Sequence, residues 1–280
     1  MAAGLLMAVI GSVAFSGKAI IVKLAYRYGV DAVTLLMYRM LLALPVFLLM
    51  AWWGSRGQAR LGRGDWLGVT GYYLASFLDF AGLAYISASL ERLILYLNPT
   101  LVLLLGLVLY KRRPHPVQWM AMGVSYAGVL LVFGHELSFD GWNTAIGTAL
   151  VLGSAVSYAV YLVHSGEMVK RLGSLASSVA CVFCILQFAV LRPLSAALVQ
   201  PEVLWLSLLN ASVCTVVPVL LVMMAIERIG PAVTAQIGMI GPLSTIVMGI
   251  WILGEPFNAW LLAGTSLVLG GVYLVSRKRA

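Results

Sequence analysis

The chain has 280 residues, of which 62% are hydrophobic and only 10% are charged, whereas soluble domains carry about 25% charged residues. This composition leaves too little polar surface to enclose a soluble core, and it favours a protein whose outer surface faces lipid. The net charge of +8 comes mainly from short basic clusters between long apolar runs, a pattern that indicates orientation in a membrane. No aromatic-interleaved basic stretch or zinc-knuckle spacing supports nucleic-acid binding.

Apolar runs long enough to cross a bilayer, about 20 residues each, recur along the whole chain. The first run lacks a basic leader and continues past the length of a signal peptide, so we expect it to be a retained span. No connection is long enough to hold a soluble domain. The sequence predicts an all-α polytopic membrane protein with ten transmembrane helices, spans 1 to 10, at residues 2–26, 33–53, 66–86, 88–110, 117–134, 142–164, 174–194, 203–226, 232–253 and 259–276.

The connections between the spans alternate in charge. Lys and Arg cluster after the even-numbered spans and in the tail, whereas the intervening connections carry acids. Because positively charged loops stay in the cytoplasm, we expect both termini to be cytoplasmic. The acids of the opposite side are Asp31, Glu136, Asp140, Glu202 and Glu255.

The two halves of the sequence resemble each other at an offset of 142 or 143 residues. We therefore predict two five-helix repeats, residues 1–138 and 139–280, in one integral membrane unit. Because each repeat crosses the membrane five times, an odd number, the second repeat enters the membrane from the opposite side. Many secondary transporters have this inverted-repeat architecture and bind substrate near the midplane. The matching positions are Gly11 with Gly153, Pro99 with Pro242, Pro114 with Pro256, and Gly128 with Gly270.

Two sets of motifs carry a family resemblance. Residues 81–89 lead into Asn98-Pro99, and residues 225–232 lead into Gly241-Pro242 and then Gly254-Glu255-Pro256. The chain resembles the drug/metabolite transporter superfamily in its EamA-type two-repeat form, over its whole length. It departs from the family pattern at residues 111–114, Lys-Arg-Arg-Pro, where a Gly-Glu-Pro-like turn is usual.

The resemblance implies ten helices, cytoplasmic termini and a central cavity lined by helices 1, 3, 4, 6, 8 and 9. Within the superfamily the chain is similar to bacterial exporters of amino acids and related metabolites. That similarity implies a multi-pass protein of the inner, or plasma, membrane. It also implies a small-molecule substrate, an amino acid or related metabolite, and contact with membrane lipid.

Ionisable residues inside spans are costly in a membrane and are functional candidates by default. Lys18 and Arg39 lie deeper in their spans, and by the predicted topology both fall, with Asp79 and Glu91, in the outer half of the bilayer. Arg92 lies near a span end and is expected to extend toward the interface. In one interpretation Lys18 binds a substrate carboxylate, and Asp79 or Glu91 binds an ammonium. In the other, these charges form structural pairs, the interpretation that we favour for Arg39.

Polar stripes follow two of the spans. Tyr72, Ser76 and Asp79 share one face of span 3, and span 6 carries a similar stripe at Ser154, Tyr158, Tyr161 and Ser165. Both stripes are expected to face the protein interior, where they either line a cavity or bond neighbouring helices. The predicted substrate-binding residues are Phe15, Lys18, Ser76, Asp79, Tyr96, Tyr158, Tyr161 and Met239, with Pro99 and Pro242 as hinges.

Enzyme and cofactor motifs are not complete in this sequence. Residues 11–19 resemble a phosphate-binding loop, but they hold one residue too many between the glycines and end in Ala instead of Ser or Thr. Cys181 and Cys184 form a C-x-x-C within an apolar helix, where packing is the simpler role. We predict no catalytic residues, no cofactor and no metal site, so the protein is not expected to be an enzyme.

The favoured function is a secondary transporter that exports small metabolites, most of all amino acids, by alternating access. Three alternatives remain open at this stage: a facilitator or uniporter, a carrier of drugs or lipids with the same fold, and a scaffold subunit that transports nothing. The pattern does not require a second copy of the chain and is compatible with a monomer. It does not identify the coupling ion.

Overall fold

The computed structural model describes residues 2–54, 62, 65–98, 101, 104, 105, 108, 116–229 and 240–277. Every regular element in these residues is helical, which confirms the predicted all-α class. The α-helices are α1 (Ala2–Tyr26), α2 (Ala32–Gly54), α3 (Asp65–Leu83), α4 (Ala88–Leu95), α5 (Pro116–Asp140), α6 (Trp142–Leu191), α7 (Pro201–Ala211), α8 (Val217–Ile229), α9 (Ile240–Met248) and α10 (Ala259–Arg277). A 3₁₀ turn covers Leu194–Ala197, and π-helical turns cover Ser212–Val216 and Gly249–Leu253.

Several apolar stretches have the length and composition of membrane spans. Within the described residues four qualify fully: Ala2–Tyr26, Ala32–Trp53, Trp142–Tyr161 and Pro201–Val222. Shorter apolar helices occur at Leu175–Leu191, Leu243–Leu253 and Ala259–Gly271. These stretches coincide with spans 1, 2, 6, 7, 8, 9 and 10 of the sequence prediction. Eight of the 23 residues of span 4, all beyond residue 98, lie outside the described residues.

The predicted connection between spans 6 and 7 was wrong, because α6 continues through it. The helix runs without a break from Trp142 to Leu191, 50 residues. Residues 165–173 contain no proline and hold Glu, Met, Lys, Arg and Leu, which are good helix formers. At about 1.5 Å per residue the helix is more than twice as long as a bilayer core is thick, and it contains two separate apolar stretches, Trp142–Tyr161 and Leu175–Leu191.

The described chain forms two compact units, and each takes helices from both halves of the sequence. Unit 1 comprises Met1–Leu61 and Arg171–Gly254, and therefore holds α1, α2, the end of α6, and α7 to α9. Unit 2 comprises Gly62–Lys170 and Glu255–Ala280, and holds α3, α4, α5, the beginning of α6 and α10. The boundary within α6 falls in the segment predicted as a loop.

Unit 1 is built around α1, which packs against α7, α8 and α9. Small residues allow the close approach: a Cβ atom on Gly11 would lie 3.2 Å from the Leu221 Cβ, and one on Gly241 would lie 2.9 Å from the Ser16 Oγ. The Thr245 hydroxyl donates to the Ser16 carbonyl at 3.2 Å. The helices of this unit therefore meet nearly backbone to backbone, as membrane helices commonly do.

Unit 2 contains two glycine crossings. In the first, α5 packs against α10, where a Cβ on Gly128 would lie 2.6 Å from the Gly264 carbonyl oxygen. In the second, α3 meets α6, where a Cβ on Gly82 would lie 3.0 Å from the Gly147 carbonyl oxygen. A side chain larger than hydrogen would collide with backbone at each crossing, so these glycines set the distance between helices.

Candidate functional site

Lys18 and Phe15 occupy one face of α1 in unit 1. Lys18 is buried, with 6% exposure, although it carries a charge. Its Nζ lies 5.6 Å from the centroid of the Phe15 ring, an arrangement that allows a cation–π interaction. Phe15 itself is 40% exposed. The structure thus brings these two predicted residues together through their i, i+3 spacing on the helix.

Asp79 and Ser76 lie on α3 in unit 2, on the polar stripe that the sequence predicts. Asp79 is buried, with 3% exposure, and Ser76 is half-buried. A carboxyl group inside a membrane span is costly. Because Asp79 is buried in a span, we take it as the principal acidic candidate for substrate binding in unit 2.

The serines beside this stripe connect α3 to α6. The Ser154 hydroxyl donates to the Ala75 carbonyl at 2.8 Å, and the Ser157 hydroxyl donates to the Gly71 carbonyl at 2.8 Å. The sequence left two roles open for Ser154, cavity lining and bonding to a neighbouring helix, and the structure shows the second. Sequence reasoning missed Ser157, although its position three residues after Ser154 places it on the same helix face.

Three tyrosines gather where the two stripes meet. The Tyr72 and Tyr161 ring centroids are 5.5 Å apart, and those of Tyr158 and Tyr161 are 5.7 Å apart. All three side chains are half-buried. Aromatic faces bind cations and flat apolar groups, and the hydroxyls can donate and accept hydrogen bonds. The cluster therefore has the chemistry to bind an amine or an aromatic side chain.

Tyr96 and the Glu91–Arg92 pair lie on or next to α4. Tyr96 follows the helix as its C-cap and is 7% exposed. The Arg92 Nε lies 3.2 Å from the Glu91 Oε2, with both side chains almost fully buried. The prediction that Arg92 extends to the membrane interface was wrong, because its neighbour supplies a buried carboxylate. For Glu91 this pair favours the structural interpretation over ammonium binding.

Glu255 binds the beginning of α4, a contact that sequence reasoning missed. Its carboxylate accepts from the Ala88 and Ser89 backbone N–H groups at 2.7 and 3.2 Å, and from the Ser89 hydroxyl at 2.6 Å. Acids at a helix N-terminus satisfy exposed N–H groups and interact favourably with the helix dipole. The acid of the Gly254-Glu255-Pro256 motif thus caps a helix from the other half of the chain.

Asp31 joins two connections on the predicted non-cytoplasmic side of unit 1. Its carboxylate accepts from the backbone of Val33 and Thr34 at the start of α2, and from the Thr34 hydroxyl. It also pairs with Arg192 at 3.1 Å. Burial alone would raise the pKa of Asp31, but the Thr34 and Val33 hydrogen bonds and the Arg192 charge outweigh it and lower the pKa. Both connections lie on one side of unit 1, as the charge alternation predicts.

Some predicted residues cannot be placed in a site. Met239 and Pro99 lie outside the described residues. Pro242 falls within α9, where only the backbone is described. The assignment of Pro99 and Pro242 as hinges therefore stays a prediction, as does the assignment of Met239 to the site.

The cysteines in the described part of the chain have packing contacts. No three His, Cys, Asp or Glu side chains among those residues cluster in a way that could hold a metal ion. Cys181, Cys184 and Cys214 are free and buried, and the Cys181 Sγ contacts the Met40 sulfur at 3.6 Å. These contacts agree with the predicted packing role of the cysteines.

Known proteins resemble this chain over nearly its full length. The model of the EamA-like transporter family matches twice, at residues 2–134 and 145–277. A Bacillus subtilis protein described as "Uncharacterized transporter YcbK" is 30% identical, over 98% of this chain and 91% of the relative. An Archaeoglobus fulgidus protein described as "Uncharacterized transporter" is 26% identical, over 95% of this chain and 94% of the relative.

A solved crystal structure shows the same fold. It superposes with a TM-score of 0.68 at 16% sequence identity, and the match covers 99% of each chain. The two family matches also lie one in each half of the sequence, which agrees with the two-repeat architecture read from the 142-residue offset. The chain belongs to the EamA-like transporter family, a family of polytopic membrane transporters.

Proposed function

We propose that this transporter exports amino acids, or closely related zwitterionic metabolites, from the cytoplasm across the inner membrane. Lys18 binds the substrate carboxylate, and Asp79 binds its ammonium group. The tyrosine cluster of Tyr72, Tyr158 and Tyr161 contributes aromatic surface for the substrate side chain. Phe15, Ser76, Tyr96 and Met239 complete the predicted set of binding residues.

The observation that carries this proposal is the burial of two opposite charges in spans. Lys18 is 6% exposed and Asp79 is 3% exposed. Their counterparts in the other repeat, Tyr161 and Val222 at an offset of 143, are uncharged, so the fold itself does not require either charge. A zwitterion needs one cation and one anion in its site, and Lys18 and Asp79 are two of the charges that the chain retains at a desolvation cost.

Alternating access would then move the substrate past these groups. Pro99 and Pro242 are repeat-related, and a proline removes one helical hydrogen bond and allows a helix to bend. We propose them as the bend points. The chain has no phosphate-loop match, so transport by this chain alone draws on a solute or ion gradient instead of ATP.

The decisive test is counterflow of radiolabelled amino acids in proteoliposomes that contain the full chain. Wild type is compared with Lys18→Ala and Asp79→Asn, because each variant removes one charge of the proposed zwitterion site. Matched controls are Lys23→Ala on the same helix as Lys18, and Asp65→Asn on the same helix as Asp79. We expect saturable exchange in wild type and both controls, and at least a tenfold loss in both site variants.

Each result has a distinct meaning. Exchange that is unchanged in folded Lys18→Ala and Asp79→Asn would make these charges structural and reject the proposed site. Uptake that does not saturate and shows no counterflow would indicate a facilitator. Transport of a drug or lipid probe without transport of any amino acid would reject the substrate class, and no transport of any solute would favour a scaffold subunit.

A further inference from the structure

Two buried side chains of α7 carry polar atoms without a hydrogen bond. Asn210 is fully buried, and neither its Nδ2 nor its Oδ1 has a hydrogen-bond partner among the described residues. The Oγ of Ser207, also fully buried, likewise has no partner there. Proteins satisfy nearly all buried polar groups, because a buried group without a partner destabilises the fold. A group that binds these atoms therefore removes a penalty that the folded chain otherwise carries.

The side-chain atoms of Asn210 define the chemistry of the group that fits them. Nδ2 is a hydrogen-bond donor and Oδ1 is an acceptor, and the Ser207 hydroxyl is both. An anion would leave Oδ1 unsatisfied, and a cation would leave Nδ2 unsatisfied. A neutral group that both donates and accepts, such as a hydroxyl or a carboxamide, satisfies both atoms. The two residues are three positions apart, so they are neighbours on one helix face and can bind the same group.

The backbone of Asn210 is held by the turn that follows α7. The Thr215 hydroxyl donates to the Asn210 main-chain carbonyl at 2.8 Å. Thr215 belongs to the π-helical turn Ser212–Val216, and such irregularities occur frequently at functional sites. This hydrogen bond fixes the main chain and does not use the side-chain amide. A binding group whose backbone is fixed in advance loses less freedom when a ligand binds.

The helical stretch that carries these side chains packs against α1. A Cβ atom on Gly11 would lie 3.2 Å from the Leu221 Cβ, and one on Gly17 would lie 3.1 Å from the Cys214 Sγ. Because residue numbers fall along one partner as they rise along the other, α1 runs antiparallel to the stretch from α7 to α8. Cys214 follows Asn210 by four residues, about one helical turn. Asn210 is therefore about one turn along the axis from the contact with Gly17.

Asn210 and Lys18 lie at similar depths in unit 1. Asn210 is nine residues after the start of α7 at Pro201, or about 14 Å at the helical rise. Lys18 is eight residues before the end of α1 at Tyr26, or about 12 Å by the same measure. Since α1 and α7 are antiparallel neighbours, these two helix ends lie on the same side of unit 1. A group bound at Asn210 would thus be close in depth to the residue that we propose for the substrate carboxylate.

We propose that Ser207 and Asn210 form a subsite for a neutral hydroxyl or carboxamide group on the side chain of the transported solute. This inference rests on the proposed function, in which Lys18 binds the substrate carboxylate, and it narrows the substrate to amino acids that carry such a group. The Asn210 Nδ2 donates to the oxygen of that group, and the Asn210 Oδ1 accepts from its O–H or N–H. The Ser207 hydroxyl forms a further bond to the same group. A bound water has the same chemistry, and the experiment separates it from a solute.

The test compares the transport of amino acids of similar size that differ in this group. Counterflow of radiolabelled threonine against valine, and of asparagine against leucine, is measured in proteoliposomes that contain the full chain. Only the first member of each pair has a hydroxyl or a carboxamide. We expect wild type to prefer the polar member by about tenfold or more in Vmax/KM, because an apolar side chain leaves the buried atoms of the subsite unsatisfied.

Two variants connect this preference to the two side chains. Asn210→Leu should abolish the preference or reverse it toward the apolar member, and Ser207→Ala should reduce it. The preference is a ratio of two solutes on one preparation, so a smaller amount of folded protein does not change it. Ser207→Ala serves alone if the leucine variant does not fold. The matched controls are Asn143→Leu, at an exposed position, and Ser212→Ala, whose hydroxyl bonds the Leu208 carbonyl. Both controls should keep the wild-type preference.

The possible failures are distinguishable from one another. Saturable exchange of amino acids without preference for the polar members would overturn the subsite and leave the proposed function standing, with water as the partner of these atoms. A preference that is unchanged in folded Ser207→Ala would overturn the assignment to this pair of side chains. No exchange of any amino acid by wild type would reject the proposed function and, with it, this subsite.

Discussion

The two compact units differ in how they hold their buried charges. Unit 1 buries the cations Lys18 and Arg39, and the structure gives Arg39 a bond to a neutral hydroxyl. Among its described side chains, unit 2 buries the acids Asp65, Asp79 and Glu91 and the cation Arg92, which pairs directly with Glu91. The contact described for Arg39 is therefore with a neutral hydroxyl, whereas the contact described for Arg92 is with an opposite charge.

This difference predicts unequal sensitivity to substitution. A buried ion pair offsets a large desolvation cost only while both members are present, so removing one member leaves a charge in an apolar medium. A charge bonded to a neutral hydroxyl leaves no charge behind when it is removed. The Glu91–Arg92 pair in unit 2 should consequently respond more strongly to the loss of one partner than the Arg39–Thr215 hydrogen bond in unit 1.

The largest effect is expected from Arg92→Leu. It removes the positive partner of the buried Glu91 carboxylate, and we expect it to lower the free energy of unfolding by about 3–5 kcal/mol. The double variant with Glu91→Leu should recover most of that loss, because it removes both charges. The measurement is reversible unfolding in mixed detergent micelles. Arg39→Met in unit 1 is the matched comparison, and we expect it to lower the free energy of unfolding by about 1–3 kcal/mol through the broken hydrogen bond to Thr215. A loss equal to or larger than that of Arg92→Leu would contradict the difference between the two contacts.

An intermediate effect is expected from the glycine crossings. A Cβ on Gly264 would lie 2.7 Å from the Gly128 carbonyl oxygen, whereas the nearest atom to a Cβ on Gly11 in unit 1 is a side-chain carbon at 3.2 Å. Gly264→Ala should therefore cost about 1–3 kcal/mol of unfolding free energy through overpacking.

Two alanine variants calibrate that result in the same unfolding assay. Gly11→Ala should cost less than Gly264→Ala, because side chains move more readily than backbone. Gly270→Ala has nothing within 4 Å of the added Cβ and should be neutral or stabilising by up to about 1 kcal/mol, the helix preference for alanine. A loss at Gly270 as large as that at Gly264 would contradict the crossing geometry.

The smallest effect concerns Asp31 at the end of unit 1. Its pKa is lower in the folded protein than in the unfolded chain. The stability that the Asp31 carboxylate contributes is therefore fully present above its pKa in the unfolded chain, and it is lost as pH falls through its pKa in the folded protein. Asp31→Asn should slightly reduce the unfolding temperature at pH 7. Between about pH 5 and pH 2 the unfolding temperature of this variant should fall less than that of wild type. Glu202→Gln, at an exposed position, is the control and should keep the wild-type acid dependence.

Local patterns predicted the features that depend on neighbouring residues. Length and hydropathy located the spans, and helical spacing predicted that Lys18 shares a face with Phe15 and that Tyr158 shares one with Tyr161. Long-range partners were not predictable in this way. Glu255 and Ala88 are 167 residues apart in the chain, and no periodicity records which helix N-terminus a loop carboxylate will meet.

Other errors came from competition between signals of similar strength. Charged and glycine residues at 165–173 suggested a loop, but the same residues extend α6 because no proline interrupts its hydrogen bonds. Arg92 was expected to extend to the interface, but the acid beside it provided a buried partner. In both cases the deciding feature was present in the sequence, but its effect depended on the tertiary surroundings.

The sharing of each unit between both halves of the chain has a consequence for biosynthesis. The first segment of unit 1 ends at Leu61, and its last segment ends at Gly254. At a translation rate of about 5–20 residues per second, α1 and α2 would wait roughly 10–40 s in the membrane before their partners are synthesised. During that interval the buried lysine and arginine of these helices have no finished bundle around them, so the unassembled pair carries the cost of two charges inside the membrane.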